Sequence, residues 1–259
     1  MSLPRAINLL REATHYRREC FDAGLQAAGF DVVRHIDRPT PGDVLVIWNR
    51  YSGYHDTALQ FEARGAQVLV VENGPTGKTW RGGEWFSLAL GAVALTGGEF
   101  QAHGPGRWDS WQVDLAEFRV GRPHDPLVIL AQRGIGSSDV RSPDGWAEKV
   151  QRATGGRIRQ HPGRDKAVKP LAEDLKDAGT VATWSSAAAV QSLELGVPVW
   201  HDHPAFVMAG ACRPLQMRGK VSPLMDDEAR LAAFRRLAWC MWTLDEIKSG
   251  EPIRCLLSR

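Results

Sequence analysis

The chain has 259 residues, which is enough for one large domain or two small ones at roughly 150 residues each. With 43% hydrophobic and 24% charged residues, it is typical of a folded globular protein and not of a disordered one. No apolar run approaches the roughly 18 residues of a membrane span, and the first residues lack the apolar stretch of a secretory signal. We therefore expect a cytoplasmic protein. The four cysteines form no C-x-x-C pair, which excludes a zinc ribbon and a disulfide scaffold.

The basic residues are unusual in type and in distribution. Of the 32 basic residues 25 are Arg and seven are Lys, and Arg is the better residue for bidentate contacts with phosphate or carboxylate. The segment 131–170 carries nine basic residues against four acidic ones. This segment is either a solvated basic face or an anion-binding site.

In the first half of the chain, helices and strands alternate. The predicted elements are a helix over 14–28, strands over 30–33 and 43–48, a helix over 54–64 and a strand over 67–71. The strands are nearly continuous apolar runs, which favours a parallel sheet covered on both faces.

The second half repeats this alternation after a stretch, 97–126, that is rich in Gly and Pro. Its predicted elements are strands over 126–131, 157–160, 180–183 and 197–200, and helices over 146–153, 168–177, 186–195 and 227–248. We therefore predict one domain over 1–122, a second over 123–235, and a C-terminal helix within 236–259 that packs back on the first domain. Such βαβ units bind ligands at the carboxyl ends of their strands.

Glu72 follows the strand over 67–71 and opens a segment, 72–79, that is close to a P-loop. A P-loop needs Gly at this position, because a carboxylate there would repel the bound phosphates. It also runs straight into a helix, whereas 80–85 is a poor helix start. Glu72 is therefore a candidate general base, with capping of the following loop as the structural alternative.

A Gly-rich loop follows the strand over 126–131. Arg133, Gly134, Gly136 and Ser137 could present a cation and backbone N–H groups to a phosphate, although a plain turn has the same composition. The next strand ends at His161 and Pro162, with Arg164 close behind, so His161 is a candidate contact for a phosphate or a base.

A predicted helix over 186–195 begins at Ser186 and follows Trp184 and Ser185. Ser is a good N-cap, and the same geometry also directs free N–H groups and the positive end of the helix dipole towards an anion. Glu194, further along this helix, either approaches a ribose or faces solvent. His201 and His203 alternate with Asp202, but no third cluster completes a site, so we predict no bound metal.

Four motifs stand in a fixed order along the chain. They are Glu72-Asn73-Gly74, His161-Pro162, Ser185-Ser186 opening a helix that ends at Glu194, and His203-Pro204. This ordered set resembles the GT-B glycosyltransferases of the bacterial capsule and lipopolysaccharide type, which include Kdo transferases and bacterial sialyltransferases. The chain is also similar to compact glycosyltransferases of bacteriophages, particularly at 132–136 and 239–247. The resemblance implies an α/β fold with two Rossmann-like parallel domains that face a cleft, the first domain on the acceptor side and the second binding the donor nucleotide.

The resemblance also implies roles for the matching residues. Glu72 would deprotonate the acceptor hydroxyl, His161 would contact the nucleotide of the donor, and Ser185 and Ser186 would hold its phosphates. Asn73 departs from the family pattern, which often has a second acidic residue there. The donor would be a nucleotide sugar acting as a co-substrate, with no tightly bound cofactor and no metal.

The acceptor is not fixed by these motifs. Some phage enzymes of this kind glycosylate hydroxymethylated bases in DNA, and the Arg content and a pI near 8.4 permit DNA binding. The expected acceptor contacts, some of them aromatic groups suited to stacking, are Arg50, Tyr51, Asn73, Trp80 and Trp85. Alternatives are a surface-polysaccharide glycosyltransferase, a non-catalytic nucleotide-sugar-binding module and a P-loop-like phosphotransferase.

Overall fold

The computed structural model describes residues 3–119, 125–138, 140–163 and 169–257. The strands are β1 Arg5–Asn8, β2 Asp31–Val33, β3 Val44–Trp48, β4 Gln67–Asn73, β5 Trp85–Leu90, β6 Leu127–Leu130, β7 Arg157–Arg159, β8 Thr180–Thr183, β9 Val199–His201, β10 Arg213–Pro214 and β11 Met241–Thr243. The α-helices are α1 Arg18–Ala27, α2 Gly53–Glu62, α3 Gly106–Ser110, α4 Trp146–Thr154, α5 Leu171–Asp174, α6 Ala187–Glu194, α7 Asp227–Leu237, α8 Leu244–Ser249 and α9 Glu251–Leu257.

The chain divides into two compact units. Unit 1 comprises Met1–His103 and Ala238–Arg259, and unit 2 comprises Gly104–Leu237. The first division thus falls at 103/104, whereas the sequence analysis placed it at 122/123, a position outside the described residues. The assignment of acceptor and donor to separate domains stays a prediction.

The sheet of unit 1 has the strand order β11-β5-β4-β3-β1-β2. Strands β1 to β4 are parallel, as their apolar sequences predict, but β5 is antiparallel to β4 and β11 is antiparallel to β5. The sequence analysis did not predict β1, β5 or β11. The chain returns from β4 to β5 without a crossover helix, so this half of the sheet is mixed and not purely parallel.

The predicted helix over 227–248 was wrong between 238 and 243, where the structure interrupts it. Helix α7 ends at Leu237, and β11 then pairs with β5, where Trp242 becomes fully buried. A new helix, α8, begins after Thr243, whose hydroxyl accepts the N–H of Glu246 while the Glu246 carboxylate accepts the N–H of Thr243. This capping box is a strong helix-start signal, and pairing with β5 overrides the helical propensity before it.

The core of unit 1 lies between its sheet and helices α1, α8 and α9. Phe21 and Leu25 of α1 are fully buried with Phe86 of β5 and Ile247 of α8. Gly24 is the point of closest approach between the two helices, because a Cβ atom added there would lie 2.0 Å from the Ile247 carbonyl oxygen. The C-terminal segment is therefore part of the core of this unit.

Unit 2 contains a fully parallel sheet with the order β10-β9-β8-β6-β7. Helix α4 packs on one face, where Trp146 and Val150 are buried with Ile129 and Trp200. Helix α5 is shorter than the predicted 168–177, and its predicted first residue lies outside the described part of the chain.

Residues 104–119, predicted to belong to a boundary stretch, are an integral part of unit 2. Trp108 of α3 is buried against Phe234 of α7, with ring centroids 4.7 Å apart. The buried Arg230 donates hydrogen bonds to the carbonyl oxygens of Ala116 and Leu193 and pairs with Asp227. Burial lowers the pKa of Arg230, and these oxygen atoms compensate for the desolvation of its charge.

We predict that Gly24→Ala destabilises the protein. The added methyl group overlaps the Ile247 carbonyl, so α1 and α8 must separate, and overpacking of this kind costs roughly 1–3 kcal/mol of unfolding free energy. Urea unfolding followed by circular dichroism measures the change. Gly53→Ala is the matched control, since no atom lies within 4 Å of a Cβ at that helical position. Equal stability of the two variants would contradict the close α1–α8 contact.

Candidate functional site

In unit 2, three of the predicted donor-site residues, Arg133, His161 and Ser185, lie at the carboxyl edge of the parallel sheet. Strand β6 lies between β8 and β7, so the loop with Arg133 has the Ser185 segment on one side and His161 on the other. The chain passes from β6 to β7 and then returns to β8 on the opposite side of β6. The gap between the carboxyl ends of β6 and β8 is thus the point where the strand order reverses, the usual ligand position in such sheets.

Two hydrogen bonds join the loops on either side of this gap. The Gln132 side-chain oxygen accepts the Ser185 N–H at 2.9 Å, and the Trp184 indole N–H donates to the Val140 carbonyl at 3.0 Å. The sequence analysis did not name Gln132 as a site residue. Its position directly after a buried strand, next to Arg133, was the available signal.

The loop after β6 depends on its two predicted glycines. Gly134 has a φ of +63° and Gly136 a φ of +130°, which are conformations that favour glycine. The Ser137 carbonyl accepts the N–H groups of Val140 and Arg141, which closes the turn. Arg133 is exposed and forms no hydrogen bond or ion pair with any residue that the structure describes. The loop therefore presents an uncompensated positive charge at the sheet edge.

His161 lies half-buried next to this charge. Burial lowers its pKa below the usual value, and the positive charges of Arg133 and Arg159 lower it further. Its Nδ1 accepts the Gly163 N–H at 3.0 Å, so the neutral ring carries its proton on Nε2 and presents that group as a donor. Pro162 follows it on the surface, and Arg164 lies outside the described residues.

The start of helix α6 has its backbone groups largely paired. The Ser186 hydroxyl accepts the Ala188 N–H, as an N-cap does, and the Ser186 N–H donates to the Thr183 hydroxyl. Ser185 is 3% exposed. Glu194 is the last residue of α6, about 12 Å from the helix start at 1.5 Å per residue. It lies away from the sheet edge that holds Ser185.

A cavity of about 200 Å³ opens beside the loop after β6. Among the residues lining it are Gln132, Arg133 and Gly134, together with Trp146 and Gln160. The Trp146 indole N–H donates to Asp202 at 2.8 Å, which fixes the ring that forms one wall. Asp144 and Glu148 also line the cavity, so it offers hydrogen-bond acceptors as well as a cation.

In unit 1, Glu72 lies near the carboxyl end of β4 and is half-buried. Its Oε1 accepts the backbone and side-chain N–H groups of Asn73, at 2.8 and 3.1 Å, and its Oε2 accepts the Asn49 amide at 3.1 Å. Asn49 directly follows β3 and adopts a φ of +56°, a conformation that Asn tolerates. Asn49 was not predicted as a site residue, although it is a polar residue at a strand end.

The predicted acceptor contacts fall into two groups. The Arg50 side chain is held by other residues of unit 1. Its two terminal nitrogens, Nη1 and Nη2, each donate to Glu62 at 2.6 Å, and Nη1 also donates to the Gly91 carbonyl. Tyr51 is exposed. Trp80 and Trp85 are buried against each other, with the Trp85 indole donating to the Trp80 carbonyl. These two rings fill the interior of the loop between β4 and β5.

This loop does not have P-loop geometry. Residues 74–77 form a turn closed by the Gly77 N–H on the Gly74 carbonyl, and an antiparallel strand follows in place of a helix. A Cβ at Gly74 would lie 2.8 Å from the Trp85 Cβ, so glycine is required where the chain leaving β4 passes the start of β5. The phosphotransferase alternative has no structural support here.

Strained backbone is concentrated at the same edge of unit 1. Among the described residues, five other than glycine have a positive φ, and four of them are Arg17, Asn49, Ser52 and Arg81. All four lie in loops that follow β1, β3 or β4. Such conformations cost about 1–3 kcal/mol each and cluster at functional sites. The positive φ values therefore favour a functional role for this edge, on grounds separate from the motifs.

A polar network joins the loops after β1 and β4. Lys78 Nζ lies 3.0 Å from His15 Nδ1 and 3.6 Å from Glu84, and Arg17 donates to Glu84 at 2.8 Å. The hydrogen bond and charge of Arg17 lower the pKa of Glu84. Because a lysine ammonium only donates, the neutral ring of His15 carries its proton on Nε2.

No group of three or more His, Cys, Asp or Glu that could hold a metal occurs in the part of the chain that the structure describes. In the His201-Asp202-His203 segment, the His201 ring forms a hydrogen bond with the His203 carbonyl oxygen, and the Asp202 carboxylate accepts a hydrogen bond from the Trp146 indole. Among the helices that the structure describes, none is long and apolar enough to cross a membrane.

We predict that the protein loses stability as the pH falls from 7.5 to 5.5. The pKa values of His161 and His201 are lowered by burial, so the unfolded chain takes up protons near pH 6.5 while the folded chain resists. Their contribution is complete above pH 6.5 and is lost as the pH falls through the folded pKa values. Urea midpoints measured across this range should fall, and less steeply in His161→Asn. Identical slopes would contradict the shift at His161.

No protein-family model and no curated protein matches the chain in sequence. Two solved structures of KpsC from Thermosulfurimonas dismutans are similar in fold. The beta Kdo 2,7 transferase has a TM-score of 0.57 and 11% sequence identity, and the match covers 97% of this chain and 99% of that one. The beta Kdo 2,4 transferase has a TM-score of 0.50 and 13% identity, with coverage of 88% and 89%. The predicted α/β, GT-B-like fold class with Rossmann-like units is confirmed, and at this identity the likeness concerns the fold alone.

Proposed function

We propose that the chain is a glycosyltransferase that moves a sugar from a nucleotide-sugar donor to a hydroxyl acceptor. One coincidence of positions carries the proposal. The fold likeness to a transferase spans 97% of the chain, and the motif residues Glu72, His161 and Ser185 all lie at carboxyl edges of its two sheets. The carboxyl edge is the usual ligand position in open α/β sheets, so these residues lie where a donor or an acceptor would bind.

The donor is proposed to bind unit 2. The charge of Arg133 and the positive end of the α6 dipole attract its phosphates, and His161 offers a neutral N–H donor beside them. The carboxylates of Asp144 and Glu148 line the same cavity and suit the hydroxyl or amino groups of a nucleoside. Side chains and a helix dipole then stabilise the leaving phosphate, which is the metal-independent mode proposed for this chain.

The acceptor is proposed to react at unit 1. A hydroxyl is a poor nucleophile at neutral pH, so attack on the anomeric carbon needs a positioned base. Glu72 suits this role because the amides of Asn49 and Asn73 hold both of its oxygen atoms in place. An oriented carboxylate of this kind avoids reorganisation when the proton is transferred.

The first experiment is a thermal-shift screen against CMP-, UDP- and GDP-sugars, because a donor that binds the native state raises the melting temperature. Stabilising donors are then offered two acceptor classes, methyl glycosides and duplex DNA that contains 5-hydroxymethylcytosine. Transfer to the duplex alone, with binding that falls steeply with salt, would favour the DNA-modifying alternative and a flipped target base. Absence of binding by every nucleotide sugar would overturn the proposal.

The donor site is tested by Arg133→Met. Loss of a hydrogen-bonded cation weakens binding of a charged group by roughly 10- to 100-fold. Calorimetric titration of the stabilising nucleotide sugar measures this change. Arg152→Met is the matched control, since Arg152 is an exposed arginine of the same unit on helix α4. If both variants bind the donor equally well, the phosphate site lies elsewhere.

The general base is tested by Glu72→Gln, which keeps the shape of the side chain and removes its basicity. We expect donor affinity close to that of the wild type and turnover at least about 100-fold lower, following the usual contribution of general-base catalysis. Steady-state rates of sugar transfer measure the effect.

Glu72→Gln also places an NH₂ group opposite the Asn49 amide, so the loss of that contact needs its own control. Asn49→Gly removes the amide, keeps the carboxylate, and suits a φ of +56°. We expect about a 10-fold loss of turnover, as for one hydrogen bond to a charged group, because the base itself is kept. Equal losses in the two variants would assign Glu72 a structural role.

A further inference from the structure

Two buried oxygen atoms near the end of β4 have no hydrogen-bond partner among the residues that the structure describes. They are Asn73 Oδ1 and Thr76 Oγ1, and both are inaccessible to solvent. Thr76 as a whole is 5% exposed and is a central residue of the turn over 74–77. Turns normally expose their central residues to water, so a buried, unsatisfied hydroxyl in this position needs an explanation.

The orientation of the Asn73 amide is fixed by its neighbour. Its Nδ2 donates to Glu72 Oε1 at 3.1 Å. The reverse orientation would place the amide oxygen against a carboxylate oxygen, which is repulsive. The unpaired atom is therefore the carbonyl oxygen, which can only accept a hydrogen bond.

The chemistry of these groups selects the kind of partner that they can bind. The Glu72 carboxylate and the Asn73 carbonyl oxygen are acceptors, and the Thr76 hydroxyl can accept as well as donate. A phosphate or carboxylate would be repelled by such a set, whereas O–H or N–H groups complete it. Three acceptor groups within five consecutive residues suit two neighbouring hydroxyl or amino groups on one molecule.

We propose that Thr76, together with Asn73, is a specificity-determining residue that binds a second hydroxyl or amino group of the acceptor, adjacent to the hydroxyl that Glu72 activates. This inference rests on the proposed function and narrows the acceptor to a polyhydroxylated or amino sugar. Because both oxygen atoms are buried, binding of a partner requires the turn over 74–77 to move outward, and Gly77, with a φ of +121°, is a residue that can absorb such a change.

The test is a double-mutant cycle between enzyme and substrate. Initial rates are measured for wild type and Thr76→Val with a methyl glycoside acceptor and with its deoxy analogue, which lacks the hydroxyl next to the glycosylated one. Each single change should lower kcat/KM by about 3- to 10-fold, as expected for one neutral hydrogen bond. Both changes together should lower it no further, because they remove the same contact. Losses that multiply would overturn the proposal.

Two further variants separate recognition from structure. Thr76→Ser keeps the hydroxyl and should retain sensitivity to the deoxy analogue. Thr96→Val is the matched control, because Thr96 is a 7% exposed threonine of the same unit whose hydroxyl donates to the Val93 carbonyl. It should lower stability without changing the response to the deoxy analogue. Thr76→Val should instead raise the melting temperature by about 2–4 °C, since it removes an unpaired buried group of the same shape.

Failure of the proposed function can be told apart from failure of this inference. If wild type transfers no sugar to any acceptor, the glycosyltransferase proposal fails. Saturation-transfer NMR with methyl α-D-mannopyranoside and methyl β-D-galactopyranoside then tests Thr76 alone. Binding to wild type that is lost in Thr76→Val and kept in Thr76→Ser supports the inference. Equal binding to all three proteins, or no binding to wild type, overturns it.

Discussion

The order of the parallel strands places the main candidate residues of both units. In each unit the chain runs from its first strand to a neighbour on one side and then returns to the other side of the first strand. The order β2-β1-β3-β4 in unit 1 matches the order β7-β6-β8-β9 in unit 2. Parallel strands bring all their carboxyl ends to one edge, and the reversal opens a gap there. In unit 2, Gln132 and Ser185 lie on either side of that gap. In unit 1, Glu72 lies at the carboxyl edge of that unit's own sheet.

The parts of the fold that the sequence predicted are those in which one local signal acts without competition. Continuous apolar runs bounded by glycine gave β3, β4, β6 and β8 to within a few residues. The errors fall where a tertiary contact decides. Strand β5 follows a loop that contains two tryptophans, and β11 interrupts a helical pattern because pairing with β5 buries Trp242 completely. The capping box at Thr243 was visible in the sequence and would have placed the start of α8.

For the candidate site, the sequence predicted which residues lie at the carboxyl edges of the sheets, but it did not predict their hydrogen-bond partners. A polar residue after a buried strand is brought to the carboxyl edge whatever its partners are, so Glu72, Arg133 and His161 could be placed from the sequence. Spacing along the chain does not show that Asn49 turns back through a left-handed conformation to reach Glu72. It also does not show that Arg50, named as an acceptor contact, is held by Glu62.

The candidate residues at the carboxyl edges of the two sheets differ in whether their polar groups are paired, and this difference fits the partner proposed for each edge. In unit 2 the Gln132 amide and the Trp146 indole beside the gap are paired within the unit, which rigidifies a site before its ligand arrives. In unit 1 the edge combines left-handed residues with the unpaired oxygens of Asn73 and Thr76. A nucleotide has many polar groups of fixed geometry, so a preformed site loses little entropy in binding it. An acceptor of the proposed kind would supply the missing hydrogen bonds, so the unpaired oxygen atoms of the unliganded edge would contribute to its affinity.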